Sequence, residues 1–557
     1  MSSRSLLRQS SLQWSSDNIF AGHHNNSTAG RMASTQIYEA CASVSQSNEE
    51  TLKCITTQLL IQDSSDREFS RTIFLVFSAA LVFYMQAGFA MLCAGAVRKK
   101  NVQNTMLKNL LDACGASIAF FAFGYAFAYG DGSNPNKFIG TTNFLLLGVD
   151  DYAFFLFQYA FSAASATIVA GTLAERCQMA AYLCYSLMLA GLVYPVVVHA
   201  IWSGHGFLSA FAADPFLGTG CLDFAGGGVV HTTGGTTALF ATMILGPRRG
   251  RFHDEQGRKL DKPKEFPGHS IALQMLGTMT LWFGWYGFNA GSALTTNSPE
   301  IHNLMAIAAV NTTLSGGMAG LVSLFSNYLL LERATGEPVF DLVVAMNGSL
   351  SGLVAITSAC GMVEPWAAVV IGAMAGCLYL FGTNWLIKTR LDDAVNAIPV
   401  HMFNGIFGLI AVGFFASPRK LNLAYGKEMP HYGLLYSWYH GHSDAHLLAA
   451  QIVGALFVVG WVLVTMMPFF IWLDWRGWFR SDPLEEIVGL DTSYHGGLIL
   501  SGDEEVNPEY ISRFKDRQKD LRRRRQTDSA AFTGGESKTE GTKPEYDQDD
   551  VEDPVDP

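Results

Sequence analysis

Asp223-Phe-Ala-Gly-Gly-Gly-Val-Val-His231-Thr-Thr-Gly-Gly235 sets an acid, a histidine eight residues on, and a glycine four residues after that inside an apolar run. The chain repeats the pattern once, as Asp393-Ala-Val-Asn-Ala-Ile-Pro-Val-His401-Met-Phe-Asn-Gly405, 170 residues later. Both copies read Asp-x7-His-x3-Gly, with Val immediately before each His. Eight residues is a little over two helical turns, about 12 Å of axial rise. Each copy therefore places a carboxylate near one end of a membrane helix and an imidazole near its middle. Ionisable groups at that depth are costly, and they face a bundle interior, a pathway or each other. A single copy would be met by a histidine serving one buried carbonyl. Two copies in register argue for a shared site between two halves of an internal repeat.

The composition agrees with a membrane setting. The chain has 557 residues, of which 15% are charged, and a mean hydropathy of +0.20. Soluble domains are nearer 25% charged, so the chain reads as an all-α polytopic membrane protein with no basis for nucleic-acid binding. Seven of the nine cysteines (Cys93, Cys114, Cys177, Cys184, Cys221, Cys360, Cys377) lie in or beside apolar runs and read as small core residues. Cys41 and Cys54 sit in the polar N-terminal segment and can pair, within or between subunits, if it is extracellular. The sequons at Asn25 and Asn26 matter on the same condition.

Eleven stretches approach the roughly 20 apolar residues that span a bilayer: 70–95, 105–129, 151–172, 180–203, 224–246, 268–293, 303–331, 340–358, 365–387, 396–417 and 446–474. Arg98-Lys-Lys100 follows the first. Arg248, Arg249, Arg251, Arg258, Lys259, Lys262 and Lys264 follow the fifth, and Lys388 and Arg390 the ninth. The even-numbered connections carry fewer basic residues; 418–445, with Arg419, Lys420 and Lys427, is a mild exception. The bias places the N-terminus outside and the C-terminus in the cytosol. Spans one to five and six to ten then form two five-helix repeats of opposite orientation, with the acid–histidine motif in the last helix of each. The eleventh helix braces the bundle. The expected domains are an extracellular segment 1–66, a transmembrane domain 67–475 and a cytosolic tail 476–557. The tail divides into an ordered part through Leu500 and a disordered part, whose Arg522 to Arg525 suit anionic lipid. Glycines at 88, 95, 171, 226–228, 348, 352, 372 and 376 read as sites of close helix packing.

Aromatic residues gather ahead of the histidines. Phe157 and Phe161 are i,i+4 and share a helix face; Trp202 and Ser203 close the fourth span, and Trp285, Phe288 and Ser292 lie near the outer end of the sixth. Aromatic faces with a hydroxyl suit a small cation, and an interfacial aromatic belt explains the same residues. The belt is the better account of Trp285 and an even match for Trp202.

Several stretches, in order, resemble the ammonium transporter family (Amt/Mep/Rh), closest to its plant and algal members, over about residues 70–500. They are Gln86-Ala-Gly-Phe-Ala-Met-Leu-Cys-Ala-Gly95, Gly171-Thr-Leu-Ala-Glu-Arg176, Asp223 to His231, Phe283-Gly-Trp-Tyr-Gly-Phe-Asn-Ala-Gly-Ser292, Asn347 to Thr357, and Leu490-Asp with His495-Gly496. The resemblance implies a high-affinity-type ammonium transporter of the plasma membrane. Trp202, Phe161 and Ser292 would recruit ammonium, with Asp223 shaping that site and assisting deprotonation. Phe161 and Phe288 would close the pore mouth, and His231 and His401 would line a hydrophobic conduit. It also implies a homotrimer with one pore per subunit, methylammonium as a second substrate, and a tail acted on by a kinase at a position like Ser493, beside Asp491 and Thr492. Asn396, where many members carry an acid, and Met402, where glycine is common, depart from the pattern. Two further readings stay open: an ammonium sensor signalling through the tail, and an electroneutral ammonia gas channel. No enzyme is expected. Two intramembrane histidines without further ligands make a poor metal site, no nucleophile–base pair stands out, and no catalytic residue, metal or cofactor is called for.

Overall fold

The computed structural model describes residues 36–39, 41–43, 47–254, 256–295, 300–495 and 508–533. The two sequons, Gly496 and the acidic end of the chain lie outside them. Two compact units divide the chain, 1–73 and 74–557. The first carries a Cys41–Cys54 disulfide within the one chain and an i,i+4 Lys53–Glu49 ion pair.

Among the described residues the fold is helical, with isolated bridges and no strands. We number the principal helices α1 Asn48–Ala96, α2 Val102–Tyr129, α3 Tyr152–Ile168, α4 Met179–Trp202, α5 Gly227–Leu245, α6 Ile271–Gly291, α7 Ile301–Thr335, α8 Leu342–Thr357, α9 Pro365–Thr389, α10 Ile398–Phe415 and α11 His446–Trp475. Each overlaps one of the expected apolar stretches; by length and composition, seven of the described helices suffice to cross a membrane. Their outward faces carry exposed Leu110, Ile118, Phe325, Leu456 and Val464, an apolar coat that water would not tolerate over such an area.

Three expectations change. Helix α1 begins at Asn48, well before the apolar run, because acidic Glu49 and Glu50 occupy its first turn and favour the helix N-terminus. Residues Pro508–Thr533, expected to be disordered, form a helix that opens on Pro508 and buries Phe514. Of the seven unpaired cysteines, Cys114, Cys184 and Cys377 face outward rather than into the core.

Small residues let the helices approach. A Cβ on Gly88 would lie 3.1 Å from the carbonyl oxygen of Gly277, and one on Gly352 would lie 2.4 Å from the Ser315 carbonyl. At one end of the bundle the connections after α1, α3, α5 and α9 converge. Glu175 accepts from Arg98 Nε (2.6 Å) and Arg248 Nη1 (3.1 Å). Arg248 also binds both oxygens of Asp392 (2.8 and 3.0 Å), and Arg176 donates to the Asp392 carbonyl (2.6 Å). The segment after α11 docks here as two short helices, α12 Pro483–Val488 and α13 Leu490–His495. Arg480 donates to Leu245 and Pro247 carbonyls and pairs with Glu486. Lys100 donates to the Ile487 carbonyl (2.6 Å). Asp491 accepts from the Gln103 and Asn104 N–H groups (2.9 and 2.7 Å), closing the N-terminus of α2.

Candidate functional site

At the opposite end, the connections after α2, α4, α6 and α10 frame a cavity lined by Tyr129, Phe157, Phe161, Trp202, Asp223, Ser292 and Tyr425, among others. Asp223 stands just before α5, and its carboxylate accepts from Gly226, Gly228 and Val229 N–H (3.1, 2.9 and 2.8 Å). These are otherwise orphaned donors of a helix start. Gly226 turns the chain at φ +101°, and the Trp202 indole donates to the Asp223 carbonyl (2.7 Å). The second copy is built alike. Asp393 accepts from Val395 and Ile398 N–H (3.2 and 2.7 Å), and Asn396, three residues on like Gly226, takes a left-handed φ of +59°. Asn396 thus occupies the turn position, and the acid of the second copy is Asp393 itself.

Neither histidine lies on a regular α-turn. Gly227–Thr232 and Ile398–Phe403 are π-helical and run into α-helix at Thr233 and Asn404. A π-turn re-aims a side chain that α-spacing would place elsewhere. The motif's closing glycines let the two helices cross at the histidines. A Cβ on Gly235 would lie 2.3 Å from the Met402 nitrogen, and one on Gly405 would lie 2.7 Å from the Gly227 carbonyl oxygen. With that crossing, His231 Nδ1 and His401 Nδ1 stand 3.1 Å apart, their rings 5.2 Å between centroids, both buried. One ring donates and the other accepts. His231 Nε2 is buried with no protein partner, and a buried polar atom of that kind calls for one.

Between cavity and histidines lie Phe161 and Phe288, stacked 4.0 Å apart and fully buried. Phe288 stacks in turn on His231 (5.4 Å). Trp202 meets Phe161 edge-on at 6.1 Å, and the Ser292 hydroxyl donates to the Phe288 carbonyl (2.8 Å). Trp285 is not part of a belt: it is fully buried, donates to Thr357 Oγ1 (2.9 Å) and stacks on His231 at 5.1 Å. Cavity-lining Gln158, Phe211 and Tyr425 escaped the sequence reading. Phe211 and Tyr425 lie in connections rather than apolar spans, and only their aromatic character marked them. Asp491, Thr492 and Ser493 lie on α13, far from this cavity in the chain's layout; the Ser493 hydroxyl donates to the Gly489 carbonyl (3.0 Å).

A cavity separated from a paired imidazole by two stacked phenylalanine rings offers cation–π faces and a hydroxyl acceptor on its lining, and only hydrogen-bonding imidazole edges beyond the rings. Comparison with known proteins fits that chemistry. Residues 73–498 match the model of the Ammonium Transporter Family. Ammonium transporter 1 member 3 of Solanum lycopersicum is 43% identical over 78% of this chain and 93% of its own length. A solved structure titled Sensor Amt Protein superposes with a TM-score of 0.64 at 29% identity, covering 76% of this chain and 98% of its own. Candida albicans Mep2 does so with a TM-score of 0.64 at 27% identity, covering 79% and 92%. The chain belongs to the ammonium transporter family, a family of membrane transporters and not of enzymes.

Proposed function

We propose that this protein carries ammonium across the plasma membrane by taking up NH4+ at the aromatic cavity, removing its proton, and passing ammonia and the proton separately along His231 and His401. The observation that carries the reading is the stacked Phe161–Phe288 lid directly above the buried, mutually hydrogen-bonded imidazoles. Stripping a bare cation of its water to enter a dry conduit costs many kcal/mol. Trp202 and Phe161 faces and the Ser292 oxygen offset part of that at the mouth. Beyond the phenylalanines the neutral species is the cheap one, and the imidazole edges, His231 Nε2 above all, give it hydrogen-bond partners. The proton follows the Nδ1···Nδ1 contact from ring to ring. Potassium, with no proton to give up, is refused. Asp223 acts by shaping the mouth and by its field, since its oxygens are held by the backbone N–H groups of α5.

The same reading has eleven crossings, two inverted five-helix halves, an outer segment 1–66, a transporter domain 67–475 and a cytosolic tail 476–557, in a homotrimer. Its support is the parity of the ends: the basic connections after odd-numbered helices meet the tail, while the cavity is framed by even-numbered ones. Voltage-clamp currents in oocytes test it. A saturable inward current with ammonium and methylammonium, and none with potassium, is expected. Entry of labelled methylammonium without current would replace the proposal by electroneutral ammonia conduction. A sensing role is the second reading, favoured by the docking of Asp491 on the start of α2. Signalling that persists in a variant without transport would select it.

A further inference from the structure

Outside the pore, the rim on the cavity side carries His440-Gly-His442-Ser-Asp444-Ala-His446, with His431 upstream. Alternating histidines and an acid in so short a tract make a composition suited to metal binding. The fold gathers three of them. Asp444 Oδ2 lies 2.6 Å from His431 Nδ1, and Asp444 Oδ1 lies 2.7 Å from His446 Nδ1. The two rings stack at 4.4 Å, and one ligand atom from each residue falls within 4.8 Å of the others. Tetrahedral zinc with bonds of about 2.05 Å needs ligand atoms roughly 3.3 Å apart, a spread within this cluster's reach. The backbone fixes the arrangement: the Asp444 N–H donates to the buried Ser437 hydroxyl (2.9 Å), and the His446 N–H donates to Asp444 Oδ1 (3.0 Å).

We propose that His431, Asp444 and His446 form a binding site for a divalent transition metal of the zinc class, with its fourth position open to solvent. The set of two imidazoles and a carboxylate is borderline-soft and selects such ions over magnesium or calcium, which prefer oxygen alone. The side chains are 22%, 27% and 58% exposed for His431, Asp444 and His446, so an ion reaches them from outside the membrane layer. Binding forms two metal–nitrogen bonds and one metal–oxygen bond in place of the two ring–carboxylate hydrogen bonds, with the proton of each ligating ring carried on its other nitrogen. The ion would join the connection 416–445 to the start of α11. His431 also packs on Gly218, where a Cβ would lie 3.2 Å from its Nε2, and Tyr425 in the same connection lines the outer cavity.

The test is cobalt titration of the full-length protein, purified through a histidine-free tag and followed by visible absorption. One equivalent per chain should give intense bands of low-symmetry cobalt, and zinc should abolish them stoichiometrically. His431→Ala, Asp444→Asn and His446→Ala should each weaken binding at least tenfold, and His302→Ala should not. Methylammonium uptake without added metal should stay at the wild-type level in all four, which shows them folded. Bands that never exceed those of aqueous cobalt, or that survive in the His431→Ala and His446→Ala proteins, would overturn the proposal.

Discussion

Gly235 and Gly405 set the distance between the two histidines. Each stands where the partner helix crosses beside its own histidine, and neither site has room for a methyl group. Gly235→Ala pushes on the Met402 backbone, for which overpacking typically costs about 1–3 kcal/mol. Because that backbone continues directly from His401, the 3.1 Å contact opens as well. Ammonium current should fall at least tenfold in Gly235→Ala at equal surface abundance. Gly317→Ala is the control: nothing lies within 4 Å of its added Cβ, and alanine favours a helix by up to about 1 kcal/mol, so current should be unchanged. The motif Asp-x7-His-x3-Gly and the meeting of its two copies are legible in the sequence, whereas its local geometry is not. Spacing on an α-helix put acid and histidine on one element, whereas the acid caps the helix from outside and the histidine sits on a π-turn. A π-turn has no periodic signature in the sequence. The burial of Trp285 is hidden from the sequence for a similar reason: its partner Thr357 is 72 residues away.

At the scale of elements, the docked tail matters most. Asp491 satisfies two N–H groups at the start of α2 that no intrahelical carbonyl can reach. Asp491→Ala should therefore cost about 1 kcal/mol and release α13, read as new protease cleavage between residues 476 and 495 in membranes. Ser493→Asp removes the hydroxyl's bond to the Gly489 carbonyl and adds negative charge beside Asp491. We expect it to lower ammonium current severalfold, and Ser493→Ala to leave current near wild type. Helix positions were readable from apolar runs, because a bilayer demands their length. Helix Pro508–Thr533 was not, because its charge hid the few apolar residues, Phe514 among them, that it buries.

Across the whole molecule, the cluster of Arg98, Glu175, Arg248 and Asp392 ties four connections to one another at one end of the bundle. Burial would raise the Asp392 carboxyl, but the Arg248 and Arg176 charges outweigh it and hold the group well below its usual range. Its stabilisation is thus complete above the ordinary carboxylate pKa of about 3.9 and is lost as pH falls below it toward the folded value. Arg248→Ala takes the bidentate partner from buried Asp392 and leaves Glu175 with Arg98 alone, and breaking a buried pair in this way typically costs about 3–5 kcal/mol. The melting temperature in detergent should drop by several degrees at pH 7, and the difference from wild type should shrink as the pH is lowered to 3.

The central claim is that His231 and His401 carry the proton while ammonia passes beside them. The direct measurement is steady-state current from His231→Ala/His401→Ala protein at verified surface density, with ammonium and then potassium outside. The account predicts that ammonium current loses its proton relay, and that any residual current no longer discriminates against potassium. Full ammonium current with selectivity intact would contradict it.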